Sequence, residues 1–449
     1  MKFEPGLMTR QSIRSYLLPL ALLALGACEA PAPPTQDETT SARVSLPTGY
    51  WQAAIILPGG DIETGIEIGL VDGTYQASLI NGQERARIDE VQFQNGELLL
   101  RFPAFNNEIR ATLNNSELVG TLTLTKRFGD TEVMPFVARQ KTAPVDEPAD
   151  SASHDMSGRW AVRFHEPEGG DTPAIGEFAQ RGSRLFGTFL TPTADHRYLA
   201  GHVRGNRFHL STFDGAHAFI FAGEIDDQGR IGDADFWSGT TWHQKWSGER
   251  NESVELPDAF AQTYLKPGYE RLEFDFPDQD GNRVSLADDK YKGKVVVVTI
   301  AGTWCPNCND EARFLAPFHM RHRDRGLEIV ALMFEHFEEF EIAAEQVRAF
   351  RDKFDLQYDT LVAGVSDKDD ASAQLPALNA VLAFPTTLFI GRSGRVRHIY
   401  TGFSGPGTGE HYVRLQDSFT QLVNELLDEP PNLIESLTEE NRPDEQAEE

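Results

Sequence analysis

Two cysteines three residues apart, Cys305 and Cys308, stand at the end of an apolar run in the order Val295 to Ala301, Gly302-Thr303-Trp304, Cys305-Pro306-Asn307-Cys308. Thiols at that spacing suit thiol-disulfide exchange, in which one thiolate attacks a disulfide and the second thiol resolves the mixed disulfide. The apolar run has the length of a buried strand. Pro306 fits the first turn of a helix, where its missing N–H removes no hydrogen bond and its fixed φ is already helical. Cys305 would then face the unpaired N–H groups at the helix start, which favour a thiolate. Other uses of paired cysteines fit less well. A zinc site needs a second ligand pair, and among His319, His322, His336, His398 and His411 only His319/His322 has any ligand spacing. Covalent haem attachment needs a histidine where Asn309 stands. An inert structural disulfide is the bland alternative. No metal and no cofactor is expected.

The chain has three cysteines and a net charge of -28. The charge argues against nucleic acid and against electrostatic attraction to anionic lipid. Lys2, Arg10 and Arg14 precede an apolar stretch from Tyr16 to Leu25, too short for a membrane span, which reads as a signal peptide over residues 1–27. Its end, Leu25-Gly26-Ala27-Cys28, resembles the lipobox of bacterial lipoproteins, which implies that Cys28 is lipidated and anchors the chain to a membrane. Glu29 follows, which leans toward the outer rather than the inner membrane, facing the periplasm. With Cys28 so used, Cys305 and Cys308 are the only thiols left to pair with each other. No later segment has the roughly 18 apolar residues that spanning a bilayer requires.

Elements that could position the dithiol follow in order. Residues 28–45 are rich in Pro, Thr and acid and read as a tether, with a similar linker at 141–157. Two β-rich segments, 46–140 and 158–255, look like copies of each other. One opens Gly49-Tyr50-Trp51 and the other Gly158-Arg159-Trp160; each continues into alternating strands and a glycine-bounded hairpin, Gly65 to Leu79 and Gly176 to Leu190. Alternation does not decide between a closed barrel and an open or paired sheet. Phe236, Trp237, Trp242 and Trp246 could stack a ligand but read rather as cover for the end of a β core. His202, His209, His217 and His243, without a paired carboxylate, read as surface polar residues.

From residue 266 to 428 the pattern becomes mixed α/β. Phe274-Asp275-Phe276 and Val284-Ser285-Leu286 flank an Asp-Gly turn. After the dithiol come a helix with Ala312, Leu315 and Phe318 inward, a strand Leu327 to Phe334, and a helix Glu338 to Phe354 with Ile342, Val347, Phe350 and Phe354 on one face. Leu378 to Leu382 reads as the end of a short helix, Phe384 to Ile390 as a turn into another strand, and Arg395 to Thr401 as the strand that pairs with it across Ser393-Gly394. A closing helix carries Tyr412, Leu415, Phe419, Leu422 and Leu426. Residues 429–449 are an acidic tail.

Residues 266–428 resemble a thioredoxin-like domain of the TlpA/ResA type. The resemblance is carried by the Asp-Gly hairpin, by Lys292 to Val298, by Gly302-Thr303-Trp304-Cys305-Pro306-Asn307-Cys308 with Glu311 just after, and by Phe384-Pro385-Thr386-Thr387 followed by Gly391-Arg392-Ser393-Gly394. The fold class is thus two tandem β-rich, meander- or barrel-like repeats followed by an α/β thioredoxin-like domain. The resemblance implies Cys305 as nucleophile, Cys308 as resolving thiol and Pro385 as a cis-proline, with Trp304, Pro306, Asn307 and Phe384 as active-site neighbours. It also shows departures. Thr299 stands where thioredoxin has an acid, which makes Glu335, after the next strand, the candidate proton carrier; Arg313 replaces a helix-kinking proline, and Ala301 an aromatic. The implied activity is an envelope thiol-disulfide oxidoreductase acting on protein thiols and disulfides, in the reducing direction. The alternatives are a scaffold lipoprotein working mainly through its β repeats, a redoxin-type peroxidase, and a copper chaperone using His398.

Overall fold

The computed structural model describes residues 45–142 and 154–430. The expected signal peptide, Cys28, nearly all of the tether, most of the linker and the acidic tail from 431 onward lie outside the described residues.

The two β segments use the same antiparallel meander and end differently. In the first, nine strands between Gly49 and Gln140 stack in the order 4-3-2-1-9-8-7-6-5. Its first strand, Gly49–Leu57, pairs with both the second, Gly60–Val71, and the last, Thr131–Gln140. The sheet therefore rolls up but leaves two edges, Glu84–Arg87 and Glu90–Gln94. In the second, eight strands from Gly158 to Arg250 close into a barrel, with Gly158–His165 paired to Asp171–Arg181 and to Trp242–Arg250. Kinship shows in one matched detail. Trp51 donates its indole N–H to the carbonyl of Pro47, four residues back, at 3.1 Å, and Trp160 donates to Met156 at 3.0 Å. Both rings are buried, so each copy seals the start of its first strand alike.

The rolled sheet leans on the barrel. Its buried interior continues into Phe213, Ala218 and Ile220 of the barrel. Asn81 and Asn107 donate side-chain amide N–H groups to the carbonyls of Phe213 (2.8 Å) and Gly215 (2.9 Å). Two expectations about the barrel change here. His217 and His243 do have carboxylate neighbours, Asp214 at 3.3 Å and Asp235 at 2.7 Å, because antiparallel pairing and a tight turn bring together residues that are apart in sequence. The aromatic cluster divides: Trp246 is core, Trp242 is 46 % exposed, and Phe236 is buried but lines a cavity discussed below.

The remaining chain is a five-stranded sheet with helices on its faces. Its order is Asp359–Val365, Leu327–Glu335, Val295–Ala301, Thr386–Ile390, Val396–Thr401, the first three parallel and the last two antiparallel. The central strand Val295–Ala301 is buried at every position, which explains an apolar run broken only at Thr299. Four helices follow: α1 (Pro306–His322), α2 (Phe340–Phe354), α3 (Lys368–Gln374) and α4 (Glu410–Leu427). Two assignments are corrected. The buried face of α2 is Ala343, Ala344, Val347 and Phe350, while Ile342 is 41 % exposed. Leu378 to Leu382 is not helical: Pro376 follows the end of α3 and pushes Leu375 out of the helical region, and Leu378 pairs instead with Leu265.

Candidate active site

The dithiol sits where the central strand turns into α1. Cys305 is the N-cap, with extended backbone angles, and Pro306 takes the first helical position. The N–H of Cys308 donates to the Cys305 sulfur at 3.1 Å, a bond that stabilises negative charge on that sulfur together with the helix dipole. The sulfurs are joined as a disulfide with the Cα atoms 5.2 Å apart, an ordinary separation for one. Across from them the Phe384–Pro385 peptide bond is cis, and the Phe384 carbonyl oxygen lies 3.4 Å from the Cys305 sulfur. Trp304 is fixed beside the pair: its indole N–H donates to the Phe334 carbonyl at 2.8 Å, one face stacks on His336, and Phe384 meets it edge-on.

Two carboxyls are buried beneath this surface. Thr299 does not leave the central strand without an acid nearby, because α1 supplies one. Glu311, one turn beyond Cys308, accepts hydrogen bonds from Thr299 Oγ1 and Thr387 Oγ1, both at 2.5 Å. Glu335, offered by the sequence either as a proton carrier or as an exposed strand-end residue, is 1 % exposed and accepts from the Thr303 N–H (3.0 Å) and Oγ1 (2.6 Å). Burial pushes each carboxyl up to about 7, with the threonine hydrogen bonds pulling the other way. Sequence reasoning passed over Glu311 as a proton carrier. The signal was present: an acid three residues after Cys308 lies on the same inward face as Ala312 and Leu315.

The barrel covers the site. Its loop between strands Arg184–Leu190 and Leu199–Arg204 sends Asp195 onto the motif, where one carboxylate oxygen accepts from Asn307 Nδ2 and from the Gly405 N–H, both at 2.7 Å. Arg197, two residues on, ion-pairs with Asp310 of α1, with Asp214 at 3.4 Å and with Glu84 of the rolled sheet at 3.1 Å. Burial works against its charge, and Asp214, Glu84 and Asp195 outweigh it and raise its pKa. The backbone of Arg197 is left-handed (φ 63°), a conformation that costs a non-glycine residue about 1–2 kcal/mol and that its three carboxylate partners hold in place. Gly402, after the last strand, has φ +84°, and a Cβ there would stand 2.6 Å from the Thr193 carbonyl, so the loop is pressed against the backbone beside Pro385. The result is a dithiol almost closed off: Cys305 is 5 % exposed and Cys308 1 %. No motif marked Asp195, Arg197 or Asp310 in the sequence; they matter only through a docking that joins distant parts of the chain.

Comparison with known proteins finds relatives of the C-terminal domain. Residues 266–413 match the Redoxin family model. Over 147 residues the chain is 31 % identical to the thioredoxin-like protein YneN of Bacillus subtilis (strain 168), covering 31 % of this chain and 78 % of that protein. Over 150 residues it is 28 % identical to the thiol-disulfide oxidoreductase ResA of Bacillus thuringiensis subsp. konkukian (strain 97-27), covering 33 % and 78 %. A crystal structure of a thiol:disulfide interchange protein, a thioredoxin family protein from Chlorobium tepidum TLS, aligns at 20 % identity with a TM-score of 0.28, over 36 % of this chain and 99 % of that one. Through its C-terminal domain the chain therefore belongs to the redoxin family, as a thioredoxin-like member of the TlpA/ResA type.

Proposed function

We propose that the protein is an extracytoplasmic thiol-disulfide oxidoreductase, held to a membrane by lipid on Cys28 and reducing disulfides of client proteins. The observation that carries the reading is the Cys305–Cys308 disulfide at the start of α1, with the Cys308 N–H on the Cys305 sulfur and the cis Phe384–Pro385 peptide alongside. In the reduced protein, the Cys305 thiolate bonds to one sulfur of the client disulfide and the other sulfur leaves as a thiolate. Cys308 then gives up its proton and attacks the Cys305 sulfur, and the client leaves reduced by two electrons while the protein is left oxidised. A second dithiol protein restores the pair.

The proton of Cys308 needs an acceptor, and of the two buried carboxyls Glu311 is one candidate, one helical turn beyond that cysteine and charged in part near neutral pH. Glu335 holds Thr303, just before the motif, and is the second acceptor. Neighbouring Trp304 and the Phe384 backbone orient the client chain against the cysteines. The test is equilibration with glutathione redox buffers followed by thiol counting. A reversible two-electron transition that disappears in Cys305→Ser is expected; a pair that stays oxidised at every buffer ratio short of unfolding would make it an inert structural disulfide. For the anchor, Cys28→Ser should move the protein from the membrane fraction to the soluble one.

A further inference from the structure

Exchange chemistry needs the dithiol, the cis-proline loop and a proton acceptor. It does not need a β-barrel standing over them. Between the barrel end and the dithiol lies a cavity of about 390 Å³, within the range of small-ligand pockets. One wall is Trp304, Cys305 and Phe384, and the facing wall is Phe164, Phe219 and Phe236 of the barrel. The barrel wall is an ordered aromatic surface, with Phe219 and Phe236 edge to face at 5.4 Å and the His196 ring 5.4–5.5 Å from both. Burial, with His217 nearby, holds His196 down to about 4, so its imidazole is neutral and adds no charge.

This aromatic wall carries unused polar atoms. Gln244 lines the cavity, is only 7 % exposed, and its Nε2 has no hydrogen-bond partner among the described residues; the same holds for His196 Nδ1. A buried amide N–H without an acceptor is costly, and an incoming carbonyl would relieve it. Access points the same way. Cys305 is almost buried, Asp195 and Arg197 pin the loop across the motif, and Cys305 lines the cavity, so a client disulfide carried on a narrow, flexible chain suits this approach better than a broad folded surface.

We propose that the barrel end is the substrate-selecting half of the redox site, and that it takes a disulfide carried on a flexible peptide with an aromatic or large aliphatic side chain beside the cysteine. The side chain packs on Phe219 and Phe236, and a peptide carbonyl accepts from Gln244 Nε2. The proposal rests on the exchange chemistry above and adds the class of substrate. In the step itself Cys305 bonds to the peptide sulfur as the peptide disulfide breaks. Cys308 then displaces that sulfur, so the peptide gains two electrons, the dithiol loses two, and the released thiolates take up the two protons that the dithiol gives up.

The test is single-turnover oxidation of the pre-reduced protein by four oxidants: glutathione disulfide, the disulfide-linked dimer of a short peptide with Phe beside its only cysteine, the same dimer with Ser for Phe, and a folded protein with a surface disulfide. The Phe dimer should react about tenfold or more faster than the Ser dimer, and the folded protein more slowly than the Phe dimer. Phe236→Ala should cut the Phe-to-Ser ratio several-fold, and Gln244→Leu should slow both dimers several-fold while leaving glutathione disulfide little changed. Equal rates for the two dimers, a ratio unmoved in Phe236→Ala, dimer rates unmoved in Gln244→Leu, or a folded protein as fast as the Phe dimer would overturn the proposal. A protein that reacts with none of the four, glutathione disulfide included, would overturn the exchange chemistry and the proposal with it.

Discussion

The two β segments share an antiparallel meander and differ in closure and at one connection. In the rolled sheet, strands Thr74–Asn81 and Glu84–Arg87 are joined by the tight turn Gly82-Gln83. At the matching place in the barrel, strands Arg184–Leu190 and Leu199–Arg204 are joined by the loop Thr191 to Tyr198, which carries Asp195, His196 and Arg197. The first copy also meets the thioredoxin-like domain, but through loop ends: the Phe128 N–H donates to the His336 carbonyl at 2.7 Å, and Lys353 pairs with Asp89 at 3.1 Å. Among the described residues, the copy with the long loop supplies the side-chain hydrogen bond to the dithiol motif, from Asn307 to Asp195. A repeat can thus supply scaffold in one copy and half a site in the other, by lengthening a single turn.

The strongest way to break this contrast is through Arg197. Arg197→Met should cost about 3–5 kcal/mol in urea unfolding, because it removes the buried cation shared by Asp310, Asp214 and Glu84, leaving Asp310 only Arg313 and Asp214 only His217. Its counterpart in the rolled sheet, the exposed Arg110 with Glu97 and Glu108, should cost under about 1 kcal/mol when changed to Met. Equal costs would mean that the barrel loop is ordinary surface.

Next in size is the effect of pH. Glu311 and Glu335 are raised from 4.5 to about 7, so between those values the folded protein binds more protons than the unfolded chain. Their contribution to stability is complete at low pH and is lost as pH rises through about 7, on the order of 3 kcal/mol for each carboxyl. Glu311→Gln, which stays neutral, should flatten the fall in unfolding free energy between pH 5 and 8. A slope identical to that of the parent protein would show that Glu311 is ionised in the fold throughout.

Smaller again is Asp195→Ala. It unpairs the Gly405 N–H and leaves Asn307 Nδ2 with the Phe403 carbonyl alone, at about 1–3 kcal/mol, and should speed alkylation of reduced Cys305 by iodoacetamide as the loop lifts. No change in alkylation rate would show that the loop does not control access.

How much of this was readable beforehand depends on the range of the interaction. The strand, the N-cap cysteine, Pro306 at the helix start and the repeat of Trp51 in Trp160 were legible, because each depends on neighbours a few residues away. The α2 face was read one position off at Ile342, where neighbouring Ala343 and Ala344 carry the buried side with too little apolar bulk to dominate the pattern. Barrel closure was not legible, because it depends on whether the first and last strands meet as well as on alternation within each. Least legible was the cover on the dithiol. Asp195 and Arg197 lie on a loop with no periodicity, and their partners Asn307, Asp310 and Glu84 are more than a hundred residues away.

The most direct measurement is trapping. In a Cys308→Ser variant expressed in its own cell envelope, the mixed disulfide cannot resolve, and mass spectrometry of the purified protein identifies what is bonded to Cys305. The account predicts client cysteines on Cys305, drawn from flexible segments with an aromatic or large aliphatic neighbour, and none when Cys305 is also changed to Ser. A Cys308→Ser protein that carries no mixed disulfide on Cys305 would contradict it.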